Sequence, residues 1–459
     1  MIAQKRGFQG FFRNPWSTGN LIKLQIFLFS CAISYGQTPV IKLEDAIARA
    51  KQYSGQIQSA NFALSLAQQD TVQARAARLP QVNALNQYIY TEGNGTPSGV
   101  FVSNDGVHVY NEQAQVHEEV LSFVRHGEVN RALAAEAVAR AKVGIAARGL
   151  TATVVQDYYA IISAQRKLAN AQRSLTEADH FVEITEKQEH GGEAAHADVV
   201  KAQIDREQRR RDLKDGQLAI DKAKIALGVL IFPGFSTDFS VVDDLDNPAL
   251  LPPMEEAQAQ AASSSPDVKA ANLTIEQAGF DIAVAKYQYL PSLGLDVFYG
   301  IDANQFAIDS HETQATGRST LPNFEVENRH NLGYVAQATL NIPVWNWGAT
   351  KSKVRQAEMR RDQAQNDLTM AQKALAGNLA AAYAEAQAAQ GQIASLKGSV
   401  DLANESLRLT LLRYQAGEAS ALEVVDAQNT VTSARNAYDD GLARYRLAIS
   451  MLQTLTGNL

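Results

Sequence analysis

Cysteine is almost absent from this chain. The 459 residues include a single cysteine, Cys31, so no intramolecular disulfide can form. The CxxC pairs typical of redox and zinc sites are missing, as are a Walker phosphate-binding loop and the nucleophile elbow of hydrolases. We therefore predict that the protein is not an enzyme and uses no cofactor.

Aromatic residues and interrupting prolines are also scarce. Phe, Trp and Tyr make up 7% of the chain, and no proline occurs between Gly127 and Glu189 or between Gly348 and Ala416. Each of these two stretches predicts a helix of about sixty residues, about 90–100 Å long at 1.5 Å per residue. A helix of that length belongs to a coiled coil or a bundle.

Long apolar runs are missing from the body of the chain, which excludes a transmembrane helix there. At the N-terminus, basic residues precede the apolar run Leu24–Ile33 and no acid occurs before Glu44. This pattern is typical of a secretory signal peptide, which we place at residues 1–36. An alternative is a lipoprotein signal that ends at Cys31. Removal of residues 1–36, with their four basic side chains, takes the formal charge from −7 to −11, so the mature protein is a poor partner for nucleic acid.

What the chain does contain is a long internal duplication. Leu43–Ala46 returns as Met254–Ala257, 211 residues later, and Gly192–Ala194 returns as Gly417–Ala419, 225 residues later. Such a duplication indicates two equivalent structural units. We place the first repeat at residues 37–232, a crossover at residues 233–253 and the second repeat at residues 254–459.

Each repeat has the same predicted order of helix, two strands, long helix, tip turn and returning helix. The predicted strands cover about residues 82–91 and 107–121 in the first repeat and about residues 293–300 and 331–342 in the second. In the last strand apolar and polar residues alternate, as in a membrane strand with lipid on one face, although a soluble half-buried sheet has the same pattern. The spacing between the repeats grows by four residues between Gly348 and Tyr383, which predicts one extra turn in the second long helix.

Two polar clusters stand out in the sequence. Four aspartates, Asp238, Asp243, Asp244 and Asp246, lie in the crossover, where we expect them to be solvated. His190 and His196 flank a glycine turn with acids nearby, an arrangement that could hold a metal ion. A solvated turn explains the same residues, and we predict no metal site there.

Several landmarks resemble those of the outer-membrane efflux proteins, the TolC family. They are Leu79-Pro80 and Leu290-Pro291-Ser292 before the strands, Leu340–Trp345 followed by Gly348 after them, Arg413–Gly417 with Leu422–Gln428 near the second tip, and Leu455–Gly457 at the end. Their order, spacing and twofold recurrence are more specific than any one of them, and the resemblance covers about residues 41–457.

The resemblance implies a mainly α protein with a membrane β-barrel portion. This internally duplicated, TolC-like fold would combine long coiled-coil-like helices with four strands per protomer, and a homotrimer would share one twelve-stranded barrel. The implied function is a passive outer-membrane channel, the exit duct of a tripartite efflux pump or a type I secretion system. The implied partners are a periplasmic adaptor (membrane fusion) protein, an inner-membrane transporter and outer-membrane lipid, with the helical portion in the periplasm.

The resemblance also assigns roles to particular residues. The two tips would bind the adaptor through Gly192, Glu193, Ala416, Gly417, Glu418 and Ala419. Asp401, Glu405 and Arg408 are candidates for the pore mouth, where a trimer would present each of them three times. Pro343, Trp345 and Gly348 would form the swivel between the last strand and the second long helix, because proline cannot donate to a strand ladder.

A periplasmic coiled-coil scaffold or adaptor protein without a membrane barrel is the alternative function. The long helices fit that alternative equally well. The alternating strand at residues 331–342 and the duplicated strand–loop–strand order argue against it.

Overall fold

The computed structural model describes residues 39–91, 107–247, 250–304 and 332–459. The predicted signal peptide, Cys31, and the loops 92–106 and 305–331 lie outside these residues. The first repeat consists of β1 Val40–Ile41, α1 Leu43–Tyr53, α2 Gly55–Ala76, β2 Gln81–Thr91, β3 Val107–Leu121, α3 Phe123–Gly191 and α4 His196–Ile231. The crossover contains β4 Ser240–Val241, and the second repeat consists of α5 Met254–Ser264, α6 Pro266–Tyr287, β5 Ser292–Asn304, β6 Leu332–Asn341, α7 Ala349–Gln415 and α8 Ala421–Thr456.

The two long helices are α3 and α7, with 69 and 67 residues. The second is not longer than the first, so the predicted extra turn in α7 is wrong. The added residues lie instead between β6 and α7, where residues 342–348 replace the single residue Ser122 that separates β3 from α3. The prediction failed because its two landmarks are not equivalent: Gly348 caps α7, whereas Gly127 is the fifth residue of α3. None of the helices in the described ranges is both long and apolar enough to cross a membrane.

The helices form a layer of two antiparallel hairpins. The α3–α4 hairpin and the α7–α8 hairpin meet where α3 packs against α8, so that α4 and α7 lie at the two edges. Asn170 Nδ2 donates to Asn436 Oδ1 at 3.0 Å along this central contact. In the half of the molecule nearer the strands, α2 packs on α3, and α6 lies between α3 and α7.

Helix α7 packs on α8 through a stripe of apolar residues spaced by threes and fours. Leu379, Ala386, Ala389 and Leu407 on this stripe are buried. Alanine at many of the positions lets the two backbones approach closely, because its side chain is a single methyl group. The protomer therefore holds its long helices by a narrow stripe of contacts and leaves much of the α7 surface exposed.

The strands β2, β3, β5 and β6 form one antiparallel sheet in that order. One row of residues in register across the four strands is entirely apolar: Val82, Val116, Val297 and Ala336. On the opposite face His117 Nδ1 lies 2.6 Å from Asp296 Oδ1. The face that carries this row is mainly apolar but also includes Asn86, Glu112 and Glu118, and the alternation between the two faces is clearest in β6.

The crossover joins the two repeats at mid-height of the helices. β4 pairs in parallel with β1, and the hydroxyl of Tyr158 lies within 3.1 Å of the carbonyl oxygens of Ile41 and Val242. The crossover backbone passes so close to α4 that a Cβ added at Gly228 would lie 2.4 Å from the Ser236 carbonyl oxygen. Glycine at position 228 is therefore required by a close backbone approach.

The crossover aspartates are not simply solvated, so that expectation is wrong for three of the four. Arg166 of α3 donates to both carboxylate oxygens of Asp243 at 2.6 and 2.9 Å and to Asp246 at 3.0 Å. Arg446 of α8 donates to Asp244 at 2.7 Å. The hydrogen bonds with Asp243 raise the pKa of Arg166 above its usual value, so the guanidinium stays charged. The crossover is thereby fastened to both long hairpins.

Candidate docking tips and channel mouth

Both hairpins end in the same tight turn. Gly192 and Gly417 both have φ of 76°, in the left-handed region that glycine adopts without a Cβ penalty. After α7, the amide of Gly417 donates to Tyr414 O at 3.0 Å and that of Glu418 to Arg413 O at 2.8 Å. The turn after α3 has the same pattern. The amide of Gly192 donates to Glu189 O at 2.9 Å, and that of Glu193 donates to Gln188 O at 2.8 Å. This is the Schellman arrangement, in which a residue in the left-handed conformation ends the helix.

The turn presents its side chains to solvent. Glu193, Ala416 and Glu418 are exposed, whereas Ala419 is half-buried and packs against an apolar cluster just inside the tip. The second turn is the better fixed of the two. Ser420 and Glu423 form a capping box at the start of α8, whereas Ala195 caps α4 without a side-chain bond.

The second tip also carries a basic residue, Arg413, whose role the sequence did not reveal. Arg413 donates to the carbonyl oxygen of Glu418 at 3.0 Å and lies 3.5 Å from the carboxylate of Glu423. The corresponding position in the first repeat is Gln188, so the two tips differ in charge although their backbones agree. The contact could have been predicted from the five-residue spacing between Arg413 and Glu418, because a Schellman turn brings residues five apart together.

An aromatic pair joins the two hairpins behind the tips. The rings of Phe181 and Tyr414 meet edge to face with centroids 5.2 Å apart, and Tyr414 is only 4% exposed. The Tyr414 hydroxyl has no hydrogen-bond partner among the described residues. Burial, helped by the charge of Asp198, raises the pKa of Tyr414 to about 12. The residue therefore acts as a neutral apolar wedge between α3 and α7.

We expect Tyr414→Phe to leave stability unchanged or to raise it slightly. The substitution keeps the ring contact with Phe181 and removes a buried hydroxyl whose desolvation costs about 1–3 kcal/mol when no partner is present. Tyr414→Ala should instead lose about 3–5 kcal/mol through the cavity it leaves. Thermal unfolding of the purified variants in detergent measures both effects, and a clear loss in Tyr414→Phe would show that the hydroxyl has a partner.

The candidate mouth residues lie along the last turns of α7. Arg408 donates to both carboxylate oxygens of Glu405 at 2.7 and 2.8 Å, and this contact lowers the pKa of Glu405. Asp401 is exposed and has no ion pair within the described ranges. The pairing leaves Asp401 as the uncompensated charge among the three. Their position at a pore mouth stays a prediction.

The histidines near the first tip are bound individually. His190 Nδ1 lies 2.7 Å from the Glu186 carbonyl oxygen, and His196 Nδ1 lies 2.7 Å from Glu189 Oε1. Across the residues that the structure describes, no three His, Cys, Asp or Glu side chains come together as metal ligands.

The chain leaves the sheet in an irregular segment. β6 ends at Asn341, Pro343 follows two residues later, and Gly348 caps α7 with φ of 82°. Trp347 precedes it with φ of 54°, an unusual value for a residue with a side chain. The rings of Trp345 and Trp347 meet edge to face at 5.8 Å, and both side chains are exposed. The swivel role of this segment stays a prediction.

Comparison with known proteins agrees with this layout. The chain is 23% identical over 326 residues to the outer membrane protein OprJ of Pseudomonas aeruginosa, a match that covers 69% of this chain and 62% of OprJ. The chain thus spans less than two thirds of OprJ. It is 22% identical over 420 residues to the outer membrane protein TolC of Vibrio cholerae, which covers 91% of each. The fold matches a crystal structure of a membrane protein from Pseudomonas aeruginosa with a TM-score of 0.76 at 19% identity, over 90% of this chain and 93% of that one.

The family assignment follows from a match to both repeats. Residues 46–231 and 258–458 match the family described as outer membrane efflux protein, so that residues 1–45, 232–257 and 459 fall outside the match. This result disfavours the alternative of a coiled-coil scaffold. The chain belongs to the outer membrane efflux protein family.

Proposed function

We propose that the protein is an outer-membrane channel, the passive exit duct of a tripartite efflux pump or a type I secretion system. The observation that carries the proposal is the family match over both repeats, each of which joins two strands to a long α-hairpin. A hairpin of this length would cross the periplasm, and the sheet would lie in the outer membrane. The absence of nucleotide-binding and catalytic motifs in the sequence agrees with a passive role.

The sheet supports a shared barrel. β2 and β6 each have one edge without a strand partner within the described residues. In lipid an open edge leaves unpaired amide groups, each of which costs several kcal/mol. Three copies would join these edges into twelve strands and remove them.

The apolar face supports contact with lipid. Tyr334 is 79% exposed in the protomer, and Val82, Tyr299 and Leu340 are exposed on the same face. None of the described residues covers this face, which suits lipid on the outside of a barrel. Trp345 and Trp347, the latter 88% exposed, would lie at the periplasmic boundary of the membrane, where aromatic belts form.

The mass of the purified protein tests this proposal. We expect a trimer in mild detergent and co-fractionation with the outer membrane. A well-folded, monodisperse monomer would contradict the shared barrel, and recovery in the soluble periplasmic fraction would favour the scaffold instead.

The tips support docking of a periplasmic adaptor. In a trimer Glu193 and Glu418 would together place six acids around the end of the helices, which favours a partner surface with Lys or Arg. Arg413 binds the backbone of Glu418 rather than its carboxylate, so this carboxylate remains free to face a partner. The adaptor would connect the channel to an inner-membrane transporter.

We expect Glu418→Lys to weaken docking and efflux without disturbing the trimer, because Glu418 is exposed and its backbone bonds do not depend on its side chain. Drug or metal sensitivity of cells at matched outer-membrane levels is the measurement. Asp367→Lys is the matched control, since it reverses an exposed acid on the same helix about 75 Å from the tip. Equal resistance in the two variants would show that Glu418 does not contact the adaptor.

A further inference from the structure

The outer side of α7 carries a row of small residues that no other described residue of the protomer covers. The row repeats every three or four residues on the side opposite the stripe that packs on α8: Gly377, Ala381, Ala384, Ala388, Gly391, Ser395 and Gly398. Glycine is the poorest helix former after proline, so three of them in one helix need an explanation. A Cβ at Gly391 or Gly398 would meet no atom within 4 Å in the protomer. The reason for these glycines therefore lies outside the protomer.

The outer side of α4, at the other edge of the layer, carries large apolar residues. Val200, Ile204, Leu218, Ile225 and Val229 are all exposed. They lie on one side of α4, opposite the side that buries Arg209 and Leu227. One edge of the protomer thus has apolar protrusions, and the other has a furrow of small residues.

Contacts inside the protomer show which residues of neighbouring helices are level, that is, lie at the same height along the helix axes. Arg209 Nη2 donates to Asn429 Oδ1 at 2.6 Å, so these residues of α4 and α8 are level. The contacts of Arg413 with Glu423 and of Arg444 with Gln392 place Leu407 of α7 level with Asn429. Arg209 and Leu407 are therefore level, although they lie at opposite edges.

The protrusions and the furrow match when they are counted from this level. Leu218 and Gly398 are each nine residues further from the tip, and Ile225 and Gly391 are each sixteen residues further. Rotation about an axis parallel to the helices moves a copy sideways but keeps its level. The α4 edge of one copy would then meet the α7 edge of the next with large residues opposite small ones.

Charge matches as well as shape. Arg211 is exposed, lies on the same side of α4 as Leu218 and makes no ion pair within the described residues. Glu405 of α7 lies at the same level, two residues further from the tip than Leu407. Beyond the crossover the α2 edge continues that of α4, and its Leu66 lies level with Met370 of α7, with exposed fractions of 67% and 66%.

We propose that α4 of one copy packs against α7 of the next in the trimer, with Leu218 seated on Gly398, Ile225 on Gly391 and Arg211 beside Glu405. The inference rests on the proposed trimer and specifies which helices meet and in which register. The furrow would let the two backbones approach closely, and the protrusions would fill it. Two experiments test the contact.

The first experiment uses a cysteine pair in one chain, Ile225→Cys with Gly391→Cys. We expect oxidation to give covalent dimers and trimers on non-reducing gels, because a disulfide needs Cα atoms about 4.4–6.8 Å apart. The control pair, Ile225→Cys with Leu402→Cys, is displaced by eleven residues, about 16 Å, and should not cross-link. A matched pair that fails to cross-link within an intact trimer, or cross-links no better than the control, would overturn this register.

The second experiment fills the furrow. Gly391→Leu should lower the trimer fraction in detergent about tenfold, and Ile225→Ala in the same chain should restore most of it. Gly149→Leu is the control, since this exposed helical glycine also has no atom within 4 Å of an added Cβ but lies on α3 away from both edges. An intact Gly391→Leu trimer would refute the proposed contact, whereas an unmodified protein that is monomeric would refute the trimer itself.

Discussion

Replacing Gly417 with valine is expected to lower efflux-dependent resistance about tenfold or more while leaving the trimer assembled. Gly417 has φ of 76°, and a β-branched residue held there pays about 1–3 kcal/mol of backbone strain. A Cβ at this position meets no atom within 4 Å, so the effect comes from the backbone and not from a clash. We expect this strain to open the turn and to displace Glu418, whose amide N–H donates to the carbonyl oxygen of Arg413.

The measurement is drug or metal sensitivity at matched outer-membrane levels. Gly417→Asn is the matched control, because asparagine tolerates the left-handed region and should keep most of the resistance. Acidic substitutions on the adaptor should not rescue Gly417→Val, whereas they should partly rescue Glu418→Lys. Wild-type resistance in both Gly417→Val and Glu418→Lys would show that the turn only reverses the chain and that the adaptor binds elsewhere.

Replacing Arg166 with methionine is expected to destabilise each protomer by about 2–4 kcal/mol. The change leaves Asp243, Asp246 and Asp439 without the guanidinium that now lies 2.6, 3.0 and 3.2 Å from them. Arg166 and Asp439 are mostly buried, and removal of one partner from a buried ion pair costs more than the pair itself contributes. The crossover should then detach from α3 before the hairpins separate.

Urea denaturation in detergent measures this loss, and limited proteolysis within the crossover locates it. Arg408→Met is the control, since Arg408 and Glu405 form an ion pair in which both side chains are more than half exposed in the protomer, and such pairs add little to stability. Equal stability of the two variants would mean that the β1–β4 pairing, Tyr158 and the contact of Arg446 with Asp244 hold the crossover without Arg166.

Much of the architecture could be predicted from residue patterns with local causes. The two proline-free stretches predicted α3 and α7 because a long helix depends on bonds between residues four apart. Alternation predicted β6, and the glycines predicted both tip turns, because period and positive φ are properties of short segments. The resemblance to the efflux family rested on landmark residues whose order recurs in both repeats, and the family match confirms it.

Contacts between distant segments could not be predicted in the same way. The crossover aspartates were expected to be solvated because their partners, Arg166 and Arg446, lie about eighty and two hundred residues away in the sequence. The extra residues of the second repeat were assigned to α7, whereas the structure has them before Gly348, since spacing alone does not distinguish a longer helix from a longer connection.

The sequence by itself determined the elements, the duplication and the positions of the turns, because hydrophobic period, proline and glycine act over a few residues. Only the tertiary structure decided which charges pair, which helix sides are buried and which remain open. Those outcomes depend on how α3, α4, α7 and α8 lie side by side and on their relative level. The small residues of α7 show the difference: their spacing is visible in the sequence, but their lack of a partner is a property of the folded protomer.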